Sequence, residues 1–188
     1  MKRILYLIAG ANGSGKTTLA RELLGEEKVP FLNADEIAEK IGDGVGVKAG
    51  KILLEKLEDI FLAKESFALE STISGKHHLR ILKKAFDAKY EIILIYVFLN
   101  SVELNVARIK HRVSLGGHDV PESDVRRRFT RSVENFWPAA KLANSWKLYY
   151  NGSDSYELVA RSEGDVLEVL DDNRYKLFDK MARNGNPR

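Results

Sequence analysis

The most constraining feature of this 188-residue chain is an aliphatic run that ends directly in a glycine-rich octapeptide. The run Ile4–Ala9 has the unbroken hydrophobic character of a strand buried on both faces of a parallel sheet. Residues 10–17 read GANGSGKT and fill every position of the pattern GxxxxGK[ST]. Helix-forming residues follow at positions 17–24 and stop at Gly25. Strand, glycine loop and helix in this order predict a backbone cradle for phosphate groups at a helix N-terminus.

The residue types in the loop explain how it would hold a nucleotide. Glycine permits backbone conformations that a Cβ atom forbids, so successive N–H groups can converge on phosphate oxygens. The Lys16 ammonium then reaches the β- and γ-phosphates, and the Thr17 hydroxyl is the predicted ligand of Mg²⁺. A glycine-rich turn that binds nothing is the alternative. We predict ATP and Mg²⁺ as cofactors, with ATP contacts from Gly10, Ala11, Asn12, Gly13, Ser14, Gly15, Lys16, Thr17 and Thr18.

Strands and helices alternate along the rest of the chain. Further strands are predicted at residues 29–32, 66–69, 91–99, 146–150 and 156–160, and the last helix at 174–182. This alternation predicts an α/β fold of the P-loop NTPase and kinase type, with a doubly wound, mainly parallel sheet of five or six strands flanked by helices. We expect one domain over residues 1–182, a small helical lid at 113–131 and a tail at 183–188.

Composition excludes several classes of protein. The chain has no cysteine, which excludes disulfides, thiolate metal sites and a cysteine nucleophile. Its longest apolar run, residues 92–99, is far shorter than the roughly 18 residues needed to cross a bilayer. The run after Lys2 and Arg3 is shorter than the roughly 7–15 apolar residues of a signal peptide. We therefore expect a cytoplasmic protein that does not associate with membranes.

Two acidic residues directly follow predicted strands, at the sheet edge where ligands bind in such folds. Asp35 is placed to accept a proton from a substrate hydroxyl and to orient its oxygen for attack, although a helix N-cap is the alternative. Glu70 could hold Mg²⁺ through water or bind the acceptor substrate. Ser71 and Thr72 are candidates for substrate contacts or for capping the next helix. The histidines His77, His78 and His118 lack partners at metal-ligand spacing, and we predict that they face solvent.

The positive charge of the chain is concentrated in one segment. Residues 108–131 contain seven Lys or Arg residues against three acids, whereas the whole chain carries a net charge of only +3. Gly116 and Gly117 lie between the two basic stretches. This pattern predicts a lid whose arginines stabilise charge developing on a transferred phosphoryl group, with a solvated basic face as the alternative. Asn151-Gly152, after the fifth strand, is either an adenine contact or a plain turn.

Four segments, in this order, resemble the zeta-toxin-type small P-loop kinases: GANGSGKTT, FLNADEIA, FALESTISG and RVSLGGHDVPESDVRRRF. The resemblance covers residues 3 to about 150. It implies transfer of phosphate to UDP-N-acetylglucosamine. Because some members are toxins held inactive by an antitoxin, it also leaves an antitoxin protein as a candidate partner.

The same resemblance assigns roles to individual residues. It implies Lys16 and Thr17 for ATP and Mg²⁺, and Asp35 as the general base. It places Glu70 and Thr72 near the sugar nucleotide. It implies Arg112 and Arg128 as the arginines of the lid.

The predicted function is an ATP-dependent kinase acting on a hydroxyl of a small phosphorylated acceptor, with a UDP-sugar favoured. A polynucleotide or nucleotide kinase is a second enzyme class, since the basic lid could contact a phosphate backbone. Only Phe129 interleaves with that basic patch, and it belongs to an apolar helix face, which disfavours nucleic acid. A nucleotide-dependent switch or toxin–antitoxin partner without this activity is the third candidate.

Overall fold

The aliphatic run Ile4–Ala9 forms strand β1 inside a seven-stranded sheet. The structure is a computed structural model, and it describes residues 2–25, 29–42, 47–152 and 155–184. The other strands are β2 (Phe31–Asn33), β3 (Phe67–Ser71), β4 (Glu91–Phe98), β5 (Ser145–Tyr150), β6 (Glu157–Glu163) and β7 (Val166–Val169). The helices are α1 (Lys16–Leu23), α2 (Ala34–Ile41), α3 (Val47–Ala63), α4 (His77–Asp87), α5 (Val102–Ser114), α6 (Glu122–Glu134), α7 (Phe136–Ala140) and α8 (Asp172–Asn184).

The strands lie in the order β2-β3-β1-β4-β5-β6-β7. The first five strands in this order pair in parallel. A parallel neighbour needs a crossover connection, and the helices along the chain supply it. The predicted α/β fold with a mainly parallel, doubly wound sheet is therefore confirmed.

The register of the central strands brings three chain segments to one edge of the sheet. Glu70 of β3 lies opposite Ile8 of β1 and opposite Asn33 of β2. The next pair joins Ala9 to Ser71, one residue before the glycine loop begins. The carboxyl ends of β1, β2 and β3 therefore meet where the loop starts.

The sheet continues beyond the predicted strands into an antiparallel meander. Strand β6 pairs antiparallel with β5, and β7 pairs antiparallel with β6 at the sheet edge. Gly164 has a φ of 56° and begins a two-residue turn with Asp165 between Glu163 and Val166, which pair across the hairpin. A Gly-Asp turn between strands was the available signal for this hairpin. Strand β7 was missed because its side chains are mostly exposed and lack apolar alternation.

The core lies on both faces of the sheet. Alternate residues of β1 enter different clusters, with Leu5 and Leu7 in the larger one and Ile8 in the smaller one beneath α1. The larger cluster contains the aromatic rings of Tyr96, Phe136 and Phe178, whose centroids lie within 5.4 Å of one another. This packing joins β4 to helices α7 and α8.

Helices α5 and α6 form a hairpin with a hydrophobic cluster of its own. Its buried residues are Val106 and Ile109 of α5, Val120 of the connection and Val125 of α6. Gly116 has a φ of 83°, and its N–H group donates to the Val113 carbonyl at the end of α5. The segment predicted as a lid, residues 113–131, lies within this hairpin.

The C-terminal helix agrees closely with the predicted one. Helix α8 extends to Asn184, two residues beyond the predicted end, and residues 185–188 of the predicted tail lie outside the described residues. In the described ranges, no helix combines the length and the hydropathy that crossing a bilayer requires.

Candidate functional site

The glycine loop packs so tightly against neighbouring elements that three of its positions require glycine. At Gly10 the φ is 144°, and a Cβ atom would lie 2.2 Å from the Val97 carbonyl oxygen. Gly13 has a φ of 79°, and a Cβ atom there would lie 2.7 Å from the Asn105 carbonyl oxygen. Gly15 has a φ of 92°, and a Cβ atom would lie 2.3 Å from the Asn151 amide nitrogen. Positive φ values and these close contacts exclude larger residues. The loop is thus a tightly docked backbone turn, as the motif predicts.

Side chains from three separate parts of the chain donate hydrogen bonds to backbone carbonyls of the loop. Asn105 Nδ2 donates to Asn12 O over 2.6 Å, Asn151 Nδ2 to Ser14 O over 2.8 Å, and the Tyr156 hydroxyl to Gly15 O over 2.7 Å. The Tyr156 phenol is protonated at neutral pH, and burial raises its pKa further above its usual value. With its carbonyls held outside, the loop leaves N–H groups for a ligand on the inside.

The N-terminus of α1 is prepared for a negatively charged ligand. Its cap residue is Gly15, no side chain caps it, and no acidic residue occupies its first turn. The unsatisfied N–H groups and the helix dipole both favour an anion at this point.

A buried charge cluster lies directly behind the loop. The Lys16 ammonium lies 3.5 Å from Glu70 Oε1, and both side chains are more than nine-tenths buried. The Thr17 hydroxyl donates to Glu70 Oε1 over 2.9 Å, and Asn33 Nδ2 donates to Glu70 Oε2 over 3.0 Å. Glu70 therefore joins the loop to the ends of β2 and β3, a role that Asn33 shares and that sequence reasoning missed.

Asp35 is free of the capping role that was its alternative interpretation. The N-cap of α2 is Asn33, whose Oδ1 accepts from the N–H groups of Asp35 and Glu36. The Asp35 carboxylate is exposed and makes no hydrogen bond or ion pair within the described ranges. It is therefore available to a ligand.

Two clefts meet at this cluster. The first, here called the P-loop cleft, has a volume of about 400 Å³ and is lined by the glycine loop, including Thr18, and by α5. The second, here called the α4 cleft, has a volume of about 220 Å³ and is lined by residues 69–75 and the start of α4. Both clefts are lined by Lys16, Asn33, Asp35 and Glu70.

The arginines of the α5–α6 hairpin divide between the two clefts. Arg108 and Arg112 line the P-loop cleft, and Arg128 lines the α4 cleft. Arg112 donates to the His118 carbonyl over 2.6 Å, whereas Arg128 lies 3.2 Å from Asp124. Arg126 and Arg127 are exposed and paired with acidic residues of their own neighbourhood. The solvated-face interpretation thus describes only part of the segment.

Asn151 was predicted either to contact adenine or to form a plain turn, and the structure gives it a further role. Besides its contact to the loop, its carbonyl accepts a hydrogen bond from Arg108 over 2.6 Å. The residue thereby ties α5 to the end of β5 and to the glycine loop, and it is 9% exposed. It is a structural brace of the site.

The segment after β3 turns sharply at the α4 cleft. The Thr72 and Ser74 hydroxyls lie 2.9 Å apart, and Ser71 Oγ accepts from the N–H of Ile73, whose φ is 44°. Neither Ser71 nor Thr72 caps α4, because its cap residue is Lys76 and no side chain caps that helix. The Thr72 hydroxyl lines the α4 cleft instead.

The prediction that all three histidines face solvent is wrong for His78. Its side chain is 4% exposed and lines the α4 cleft, because the stripe of α4 that packs on the core includes this position. Burial, together with the neighbouring His77, lowers the pKa of the His78 imidazole to about 4. His77 and His118 are exposed as expected.

The described residues contain no cluster of three or more His, Cys, Asp or Glu side chains that could form a metal site of their own. The Thr17 hydroxyl and the Glu70 carboxylate nevertheless place oxygen donors beside the loop. Oxygen donors are what Mg²⁺ prefers, and Mg²⁺ usually completes its shell with phosphate oxygens and water. This donor set fits a nucleotide-bound Mg²⁺ better than a protein-only metal centre.

Known structures share this architecture. The chain aligns over its full length with a chain of the AvrRxo1-ORF1:AvrRxo1-ORF2 complex solved with sulphate ions, at a TM-score of 0.75 and 14% identity. The same complex solved with ATP gives a TM-score of 0.72. The chain spans only 65% of the length of those chains. A structure of the PezAT toxin–antitoxin system of Streptococcus pneumoniae is similar over 98% of this chain and 84% of its own, with a TM-score of 0.67 and 16% identity.

Sheet order, glycine loop and charge cluster together define the chain as a protein of the P-loop kinase fold class, and the resemblance to zeta-toxin-type kinases is confirmed at the level of the fold. No protein-family model matches the sequence. Over 132 residues the chain is 33% identical to an uncharacterised protein of Haemophilus influenzae, an alignment that covers 68% of this chain and 92% of that protein. The chain belongs to the same family as this Haemophilus influenzae protein.

Proposed function

We propose that the protein is an ATP-dependent kinase that transfers the γ-phosphate to a hydroxyl of a small phosphorylated acceptor. The observation that carries this proposal is the wall of Lys16, Asn33, Asp35 and Glu70 shared by the two clefts. A nucleotide in one cleft and an acceptor in the other would meet only at this wall. The cleft with the glycine loop is the natural place for the nucleotide.

The residues of the P-loop cleft suit a bound triphosphate. The loop N–H groups and the uncapped α1 terminus would hold the β- and γ-phosphates, with the Lys16 ammonium beside them. The Thr17 hydroxyl and the Glu70 carboxylate would hold Mg²⁺, directly or through water, and the metal would neutralise phosphate charge. The similar AvrRxo1 complex solved with ATP supports a nucleotide ligand for this fold.

Asp35 is the residue for the proton transfer. Its exposed carboxylate, unpaired in the described ranges, would accept the proton of the acceptor hydroxyl. The hydroxyl oxygen would then bond to the γ-phosphorus. At the same time, the bond between that phosphorus and the oxygen that bridges the β- and γ-phosphates would break. ADP leaves with the electron pair of that bond.

Arg112 lines the P-loop cleft and Arg128 lines the α4 cleft, so each shares a cleft with the wall. Guanidinium groups on both sides would neutralise the charge on the transferred group. Asn105 ties α5 to the glycine loop, and Val133 of α6 belongs to the main core. Closing of the lid would therefore involve the residues between these two anchors, and it would exclude water from the site.

The acceptor is a narrower proposal. The zeta-toxin resemblance favours a UDP-sugar such as UDP-N-acetylglucosamine, while a nucleotide or a polynucleotide end is an equally open class. The names of the similar AvrRxo1 and PezAT structures describe a two-protein complex and a toxin–antitoxin system. These names support a protein partner, such as an antitoxin, as a further proposal.

A transfer assay with labelled ATP and Mg²⁺ tests the proposed function. UDP-sugars, nucleotides and 5′-hydroxyl oligonucleotides serve as acceptors, and Lys16→Ala is the blank. We expect Asp35→Asn to lower transfer by about 10²- to 10⁴-fold while ATP binding is retained. Asp59→Asn is the matched control, since Asp59 is exposed on α3 and lines neither cleft.

Two results would contradict the proposal. Transfer to none of the acceptor classes would argue for a switch or a binding partner. Equal transfer by Asp35→Asn and the wild type would exclude Asp35 as the base.

A further inference from the structure

The first turn of α4 is an unsatisfied helix N-terminus that opens into the α4 cleft. Its cap residue, Lys76, provides no side-chain acceptor, and the turn contains no acidic residue. Ser74, Gly75 and His77 line the cleft, and the space beside Gly75 is open for at least 4 Å. An eleven-residue helix with free N–H groups favours a negatively charged ligand at this end.

His78 is a second, independent sign of a missing ligand. His78 is only 4% exposed, and it lines the same cleft. Its Nε2 atom has no hydrogen-bond partner in the part of the chain that the structure describes. A buried polar atom without a partner costs free energy, which a ligand that supplies the hydrogen bond would recover.

Apart from Lys16, the acidic and basic side chains that line the α4 cleft lie in different parts of it. The two carboxylates, Asp35 and Glu70, belong to the wall shared with the P-loop cleft. The α4 cleft is also lined by residues that do not line the P-loop cleft. These are hydroxyl-bearing residues, the two histidines, Arg128 and apolar residues such as Leu53 and Ile81. A ligand would therefore place a hydroxyl at the carboxylates and an anionic group at the α4 end.

We propose that the first turn of α4, together with the His78 imidazole and the Arg128 guanidinium, binds a phosphate group of the acceptor. That the bound molecule is an acceptor rests on the proposed function, whereas binding of its phosphate does not require phosphoryl transfer. The site selects acceptors that carry both a hydroxyl and a phosphate. The loop motif does not assign this subsite.

Titration with inorganic pyrophosphate, followed by NMR of the histidine ring protons, tests the subsite directly. His78→Gln identifies the His78 signals, and the His111 signals are the internal control because His111 is exposed and lines neither cleft. We expect pyrophosphate to shift the His78 signals and to leave those of His111 in place. The shift should persist when ADP and Mg²⁺ occupy the P-loop cleft.

Two variants measure the contribution of the side chain. His78→Leu should weaken pyrophosphate binding by about tenfold or more, the usual size of a lost hydrogen bond to a charged group. His78→Gln should recover part of this loss because its amide can still donate. Circular dichroism confirms that both variants are folded, and His111→Gln should bind as the wild type does.

The outcomes separate the subsite from the proposed kinase activity. Unmoved His78 signals, or a shift that ADP abolishes, would overturn the subsite, even if phosphoryl transfer is observed. Shifted His78 signals without transfer to any acceptor would leave the subsite in place and count against the kinase. In a working kinase, removing the phosphate from an acceptor should raise its KM about tenfold in the wild type and far less in His78→Leu.

Discussion

The Thr17 hydroxyl donates a hydrogen bond to Glu70 Oε1 over 2.9 Å. The same carboxylate oxygen lies 3.5 Å from the Lys16 ammonium, and both side chains are more than nine-tenths buried. One carboxylate thus positions the two loop residues on which nucleotide binding would depend. The contact joins β3 to the start of α1, elements separated by more than fifty residues of chain.

Glu70→Gln should therefore destabilise the protein in the absence of nucleotide. The substitution keeps the shape of the side chain but leaves the buried Lys16 ammonium without its counter-charge, a change that costs about 3–5 kcal/mol when a buried pair is broken. Urea unfolding measures this loss. ATP should restore part of it, since its phosphates would supply negative charge at Lys16.

Glu36→Gln is the matched control for this prediction. Glu36 pairs with Arg21, whose side chain is largely exposed, so its loss should cost less than about 1 kcal/mol. Equal destabilisation by the two substitutions would show that the Lys16–Glu70 pair has no special energetic role.

Removing the Tyr156 hydroxyl should loosen the glycine loop without unfolding the domain. Tyr156→Phe loses the hydrogen bond to Gly15 O and should lower ATP affinity by a few-fold, the equivalent of about 1 kcal/mol. Calorimetry with ATP and Mg²⁺ measures the change. Tyr149→Phe is the control, because Tyr149 packs in the same apolar cluster, and within the described residues its hydroxyl makes no hydrogen bond to a loop carbonyl. A similar affinity loss in both variants would contradict the bracing role of Tyr156.

Neighbouring arginines of α6 should differ sharply in their effect on transfer. Arg128→Ala removes a guanidinium from the α4 cleft and should lower kcat/KM by about 10- to 100-fold. Arg127→Ala removes an exposed guanidinium that pairs with the same Asp124 carboxyl group and should change kcat/KM by less than about threefold. Steady-state kinetics with the best acceptor of the panel compares them. Equal losses would mean that the charge of the hairpin acts as a whole.

The stability of the protein should fall with acidification between about pH 6.5 and pH 4. The pKa of folded His78 is about 4, below its ordinary value of 6.5, so the unfolded chain takes up a proton first as the pH falls. Stability is therefore unaffected by this group above pH 6.5 and decreases toward pH 4, by up to about 3 kcal/mol.

Urea unfolding at several pH values in wild type and His78→Gln isolates the His78 contribution. The free energy of unfolding of the wild type, measured relative to that of His78→Gln, should fall as the pH falls through this window. A difference that is constant from pH 7 to pH 4 would show that His78 does not stay neutral in the folded protein.

Features that depend on local chemistry and chain order could be predicted from the residues alone. Residues 10–17 can form a phosphate-binding turn because glycine, lysine and threonine occur at fixed spacing within a single loop. The alternation of strands and helices was sufficient to indicate the parallel sheet, since parallel neighbours require crossover helices. The placement of Asp35 and Glu70 at one sheet edge followed from the same rule.

Which side chains face the two clefts depends on how the helices and strands pack, and this could not be predicted from local sequence. His78 is buried because α4 packs on the core in one rotation, and a single histidine carries no sequence signal for that rotation. Arg112 and Arg128 enter different clefts because two helices fold back on each other over an independent hydrophobic cluster. Asn105, Asn151 and Tyr156 reach the loop across 93, 137 and 141 residues of sequence, and contacts at that separation are set by packing alone.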